Sequence, residues 1–167
     1  MSASKISVIG GGSFGTVIAN ITADTGHDVW FWMRSKSQAA DINKHHENSQ
    51  YLPGYKLNES VFATEDMVEA VSGSEVIFVA VPSSSFRQVV KEVVKHASAD
   101  AILVSTTKGI EPGTFLLMSQ VLKEEAPNAR IAVLSGPNLA KEIASKQLTG
   151  TVVASSDETV RDLVKNI

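Results

Sequence analysis

The 167-residue sequence contains no cysteine. That absence excludes disulfides, thiolate metal sites and a cysteine nucleophile; it suits the cytosol but leaves the redox compartment open. Charge of one sign is not in excess either. Fifteen Lys and Arg against 18 Asp and Glu give a formal net charge of -3, with a pI near 5.8. No diffuse positive field is available for nucleic acid or an anionic membrane, so any phosphate must be caught by a local constellation. Long hydrophobic runs are missing as well: Ile6–Ile9 runs into three glycines and Val76–Val81 stops at Pro82. Both are too short to cross a bilayer, and no secretory leader is visible. The expectation is a cytoplasmic chain with no nucleic-acid partner and no membrane span.

What is present reads as a folded domain. Hydrophobic residues make up 43% and charged residues 20%, a balance that can bury a core, and the length suits one domain or a piece of a larger enzyme. There is no internal repeat and no low-complexity linker. Short β-branched runs alternate instead with segments of helical period, the pattern of successive βα units. Strands are expected at Ile6–Ile9, Val29–Met33, near Val61, at Val76–Val81, Ile102–Ser105, Ile131–Leu134 and Thr151–Ala154. Most are almost wholly apolar, as parallel strands covered on both faces should be. Phe14, Val17, Ile18 and Ile21 share one helical face, as do Phe86, Val89, Val90, Val93 and Val94, and these are the covering helices. Gly26 marks the end of the first. Pro112 and Gly113 mark a turn before a helix starting near Phe115. The stretch from Glu47 to Ser60, with Asn48, Gln50, Pro53, Gly54 and Asn58 spread among Tyr51, Leu52 and Tyr55, breaks the rhythm and has the character of a functional connection. The last helix, Glu158–Asn166, carries no stop signal, so the sequence is expected to continue beyond Ile167.

Gly10, Gly12 and Gly15 form GxGxxG between the first strand and the first helix. In that context the glycines permit a tight turn, backbone approach to a pyrophosphate and close helix packing, while the helix N-terminus offers amide donors. Ser13 and Phe14 then lie beside the cofactor. An NAD-selective fingerprint places an acid about 20 residues further on. Arg34 stands there instead, followed by Ser35 and Lys36, which suits the 2′-phosphate of NADP at least as well as NAD, against the alternative of a solvated basic turn.

VAVPSSS, STTKG and LSGPN fall at strand carboxyl ends, where open α/β sheets bind ligands, and the YLPG loop joins them. Lys108 precedes Gly109 and can hold an anionic substrate, against the alternative of a solvated surface charge. Gly136, Pro137 and Asn138 offer a tight turn and exposed amides, or simply an ordinary N-cap turn. His45 and His46 lack an acidic partner at metal or triad spacing and read as surface residues. His27 and His96 close helices, and at least one of Trp30 and Trp32 packs in the core. The fold expected is a Rossmann-type, doubly wound, mostly parallel α/β sheet in a single domain over residues 1–167.

The order VIGGGSFGT, WFWMR, NSQYLPG, VAVPS, STTKGIE and LSGPNLAKEI resembles the N-terminal half of the bacterial-type NAD(P)-dependent sn-glycerol-3-phosphate dehydrogenases over essentially the whole chain. STTKG with SGPN at this spacing is far more specific than GxGxxG. The resemblance implies that Ser13, Phe14 and Arg34 contact the cofactor, that Lys108 contacts both cofactor and substrate, that Gly136 faces substrate and Ala140 the cofactor. Asn138, where many relatives carry Ser or Thr, is implied as a further substrate contact. It also implies NADP or NAD as cofactor, glycerol 3-phosphate and dihydroxyacetone phosphate as the small-molecule substrates, a role in supplying phospholipid synthesis, and a homodimer when full length. The proton-accepting lysine is implied to lie beyond Ile167, in an all-helical domain. Two rival readings are another two-domain dehydrogenase of the 6-phosphogluconate or ketopantoate reductase type, and a non-catalytic NAD(P)-sensing module.

Overall fold

The computed structural model describes residues 4–167. Its elements run β1 (Lys5–Ile9), α1 (Ser13–Asp24), β2 (Asp28–Trp32), α2 (Lys36–His45), β3 (Val61–Thr64), α3 (Met67–Val71), β4 (Val76–Val79), α4 (Ser83–Val94), β5 (Ile102–Ser105), α5 (Met118–Glu125), β6 (Arg130–Ser135), α6 (Ala140–Ala144), β7 (Val152–Ala154) and α7 (Glu158–Asn166). One seven-stranded sheet has the order β3-β2-β1-β4-β5-β6-β7. All pairings are parallel except β6 with β7, which is antiparallel. The fold is thus the doubly wound α/β arrangement that the alternating pattern predicts.

The apolar strands explain the layering. Every residue of β4 and β5 is buried, because helices cover both faces. On one face α1, α2 and α7 contribute Ala19, Ile42, Val160 and Val164 to a core with Ile6, Val8 and Phe31. On the other, α3, α4 and α5 contribute Val71, Phe86, Val90, Val93, Val121 and Leu122 to a core with Ile77, Val79 and Leu103. Burying a side chain such as Phe86 or Val90 stabilises by roughly 1.5–3 kcal/mol each. The chain returns from β3 to β4 on the far side of β1, so the direction of winding reverses between β1 and β4. That reversal opens a crevice beyond their carboxyl ends.

Several boundaries differ from the sequence reading, each for a local reason. β4 ends at Val79, two residues early, because Ala80 and Val81 already turn toward Pro82, the N-cap of α4. The helix expected near Phe115 begins at Met118. Phe115 has φ 60, and Ile110 and Leu117 instead bridge across a turn containing Pro112 and Gly113. The short α3 lacks the length for a periodic signal; Asp66 caps it by accepting from the amides of Val68 and Glu69. His45 is exposed, with its ring 3.7 Å from Asp41 one helical turn back. His46, expected at the surface, is half-buried in the left-handed C-cap of α2. Trp30 and Trp32 are partly buried against the second core. Among the described residues no helix is long and apolar enough to cross a membrane.

Candidate functional site

The glycine turn sits at the reversal. Gly10 has φ +128, and a Cβ there would lie 2.4 Å from the carbonyl oxygen of Ala80 at the end of β4. A Cβ on Gly15 would lie 2.0 Å from the Gly10 carbonyl oxygen, so α1 docks against the turn at a distance only glycine allows. Gly12 differs: a Cβ there would meet nothing within 4 Å. No packing among the described residues demands glycine at that position, which leaves room for a ligand. Gly12 is also the N-cap of α1, and among the described residues no side chain caps that terminus. The free end of α1 therefore presents amide donors and a favourable dipole to an anion.

Two cavities meet along Gly12, Ala80, Val81 and Pro82. One, of about 320 Å³, runs from the glycine turn to Met33, Arg34 and Ser35 after β2, with Gln50 and Tyr51 on its other wall. The second, of about 380 Å³, runs past Ser13 and Phe14 to Thr106, Thr107 and Lys108 after β5 and to Asn138 and Ala140. Together they form one cleft along the carboxyl ends of the parallel strands.

The two ends of the cleft are cationic. Arg34 is exposed, and among the described residues no carboxylate or hydrogen-bond acceptor engages it. Lys108 donates from Nζ to the Gly136 carbonyl at 3.0 Å and to Asn138 Oδ1 at 3.3 Å. Both partners are neutral, so the ammonium keeps its charge available. Asn138 is buried at 2% exposure, and its Nδ2 donates to Thr151 Oγ1 at 3.2 Å, which turns Oδ1 toward Lys108. Thr107 Oγ1 donates to the Val81 carbonyl at 2.7 Å and ties the loop after β5 to the loop after β4.

Behind Lys108 lies a charged cluster. Arg87 of α4 donates to both oxygens of Glu111, at 2.7 and 2.8 Å, and also pairs with Glu124 and Glu125 of α5. This fixes the turn that follows Lys108. The Arg87 guanidinium holds the Glu111 carboxyl at about 2, far below its ordinary 4.5, while the three carboxylates push Arg87 upward.

Of the residues named from sequence, Gly10, Gly12, Ser13, Phe14, Arg34, Lys108, Asn138 and Ala140 line this cleft. Gly15 is buried beneath it. Gly136 does not line it. A Cβ on Gly136, at φ +150, would lie 2.3 Å from the Gly150 carbonyl oxygen, so its packing already requires glycine, and its own carbonyl holds Lys108. The sequence reading missed Gln38 and Arg87, and it noted Asn48 only as one polar residue of the connection from Glu47 to Ser60. Asn48 stands inside the noted NSQYLPG string, yet its burial at 1% exposure has no one-dimensional signal. No group of three or more potential metal ligands occurs among the described residues.

A family model described as the N-terminus of NAD-dependent glycerol-3-phosphate dehydrogenase matches residues 5–161. The chain belongs to that family. A glycerol-3-phosphate dehydrogenase [NAD(P)+] of Teredinibacter turnerae is 49% identical over 163 residues, which are 98% of this chain and 48% of the relative. The chain thus spans about half the length of the curated relatives it matches. A crystal structure of glycerol-3-phosphate dehydrogenase from Coxiella burnetii superposes with a TM-score of 0.90 at 29% identity, covering 98% of this chain and 50% of that one. A ketopantoate reductase from Ralstonia eutropha shares the fold alone, with a TM-score of 0.62 at 17% identity over 79% of this chain and 41% of that one. The glycerol-3-phosphate dehydrogenase family supplies the context in which the cleft is read.

Proposed function

We propose that this chain is the cofactor-binding half of an NAD(P)-dependent dehydrogenase that interconverts sn-glycerol 3-phosphate and dihydroxyacetone phosphate and so supplies phospholipid synthesis. The observation that carries the reading is the single cleft with Arg34 at one end, Lys108 at the other and an open Gly12 between them. Its shape and charge suit a dinucleotide. Gly10 and Gly15 hold the turn, Gly12 lets the pyrophosphate approach, and Ser13, Phe14 and Ala140 line the path. Arg34 takes the 2′-phosphate of NADP, or stacks on the adenine of NAD. Lys108 serves cofactor and substrate together, with Asn138 on the substrate side and Gly136 contributing there through the carbonyl that holds the Lys108 ammonium. When bound, the nicotinamide supplies hydride exchange with C2 of the substrate. The chain binds and orients, and its cations offset the charge of the phosphorylated substrate. Proton transfer belongs to a lysine in a second, all-helical domain beyond Ile167. A cytoplasmic location and a homodimer of the longer protein complete the reading.

The test has two parts. The 167-residue chain, titrated with NADPH and NADH while its fluorescence is followed, is expected to bind both; binding of neither overturns the proposal. In the full-length enzyme, Lys108→Ala is expected to lower kcat/KM for dihydroxyacetone phosphate by about 100-fold or more, roughly 2.7 kcal/mol of transition-state stabilisation. Lys108→Met, which keeps the stem, is expected to be nearly as damaging. Near-normal efficiency in both variants removes Lys108 from the site.

A further inference from the structure

The polar groups beneath the glycine turn form a closed network that the cofactor reading does not use. Gln38 Nε2, from α2, donates to the Gly11 carbonyl at 2.7 Å and to Asn48 Oδ1 at 3.2 Å. Asn48 Nδ2 donates to the same Gly11 carbonyl at 3.0 Å and to Thr16 Oγ1 at 2.7 Å. Thr16 Oγ1 in turn donates to the Gly12 carbonyl at 2.8 Å, which also accepts from the Thr16 amide at 2.9 Å. Asn48 and Thr16 are buried, at 1% and 0% exposure, and neither lines the cleft.

Each donor atom of the network gives at least one bond to one of two backbone carbonyls, those of Gly11 and Gly12, and the remaining bonds link Gln38 to Asn48 and Asn48 to Thr16. In a planar trans peptide the N–H lies opposite the C=O. Tying down the Gly11 carbonyl therefore sends the Gly12 N–H the other way, and tying down the Gly12 carbonyl does the same for the Ser13 N–H. Gly12 and Ser13 both line the cleft. A peptide flip at either position would replace a donor with a carbonyl oxygen, which repels a phosphate.

Resting on the cofactor reading above, we infer that Asn48 is a positioning residue for pyrophosphate binding: acting through Thr16 and the Gly11 carbonyl, it keeps the carbonyls of the glycine turn off the anion and its amides on it. The strap that carries Asn48 is anchored separately at its far end. There Asn58 Nδ2 donates to Asp24 Oδ1 at 2.9 Å, and the Asn58 amide donates to Asn20 Oδ1 at 2.7 Å. Asn58 touches neither the glycine turn nor the cleft, so it separates loosening of the strap from loss of amide orientation.

The experiment is NADPH titration of the 167-residue chain and of Asn48→Ala, Thr16→Val and Asn58→Ala, with thermal melting of each. Asn48→Ala is expected to weaken NADPH by about tenfold or more, in line with loss of charge-assisted contacts, and Asn58→Ala by less than about twofold. Thr16→Val, close in shape, keeps the test open if Asn48→Ala does not fold, and it is expected to weaken binding by about threefold or more. Equal weakening by Asn48→Ala and Asn58→Ala overturns the inference in favour of simple anchoring. Unchanged binding by a folded Asn48→Ala, or by Thr16→Val if Asn48→Ala does not fold, also overturns it. Failure of the unsubstituted chain to bind NADPH or NADH overturns the cofactor reading, and this inference falls with it.

Discussion

Replacing Gly12 with alanine separates folding from cofactor binding at a single methyl group. Gly12 has φ -81 and ψ -179, extended backbone that alanine adopts without strain. The added Cβ meets no atom of the described residues within 4 Å. Two opposing terms then set stability: alanine reduces unfolded-state entropy by about 0.4–1 kcal/mol, and it is a poorer N-cap than glycine by a comparable amount. The net change is expected within about 1 kcal/mol, a shift of no more than about 4 °C in Tm for a domain of this size. Binding follows a different course. On the proposed reading the methyl stands where the pyrophosphate closes on the Gly12 and Ser13 amides, and disrupting two charge-assisted hydrogen bonds of roughly 1.5–3 kcal/mol each predicts an affinity loss of about 100-fold or more.

Gly15→Ala provides the contrast. Its Cβ would stand 2.0 Å from the Gly10 oxygen, against an ordinary contact of 3.4 Å or more, and the obstacle is backbone that cannot swing aside. Moving α1 away is expected to cost about 3 kcal/mol. Thermal melting with NADPH titration on both variants checks the pair. A folded Gly12→Ala that binds NADPH within about twofold of the parent would show that no phosphate passes over Gly12, and the use of the helix terminus assigned above would fail.

Arg34→Ala is expected to weaken NADPH by roughly 1.5–3 kcal/mol, the value of a hydrogen bond to a charged group, and NADH by much less; equal weakening measured by titration reassigns Arg34 to adenine stacking. Glu111 has its carboxyl held at about 2 rather than the ordinary 4.5. A depressed carboxyl contributes stability that is present above its unfolded value and lost as pH falls through the folded one. Glu111→Gln is therefore expected to melt lower than the parent at neutral pH, with the gap narrowing from about 4.5 down to about 2. A gap that stays constant in thermal melts across that window shows that the Arg87 pairing does not stabilise the fold.

The strands were legible because parallel strands buried on both faces need unbroken apolar runs, and β1, β4 and β5 carry them. The antiparallel β7 was found as a strand, but its direction depends on the α6 connection and leaves no mark in its own residues. The turn from Ile110 to Leu117 hid for another reason: it is shaped by Glu111 reaching Arg87, 24 residues away, where local propensity favours an earlier helix. The motifs at strand ends were visible because their position after an apolar run states which edge of the sheet they occupy. The Gln38, Asn48 and Thr16 network was not visible, since it joins a helix, a strap and a second helix across 32 residues of sequence. Burial of a polar side chain is a property of that convergence rather than of the string NSQ.

The charge balance of the cleft follows from the same convergence. A chain of net charge -3 can attract an anion only where its carboxylates are kept away from its cations. Glu111 is three residues from Lys108 and is the nearest acid to it in sequence. Arg87 engages both oxygens of that carboxylate and takes Glu124 and Glu125 as well, leaving Lys108, among the described residues, with the Gly136 carbonyl and the Asn138 amide oxygen as its partners. Neutral acceptors orient an ammonium without cancelling it. At the other end Lys36, two residues from Arg34, pairs with Glu65 at 3.5 Å, and Arg34 itself has no such partner among the described residues. Each end of the cleft thus places a neighbouring acid on another cation, and local pairing rather than net charge gives the site its sign.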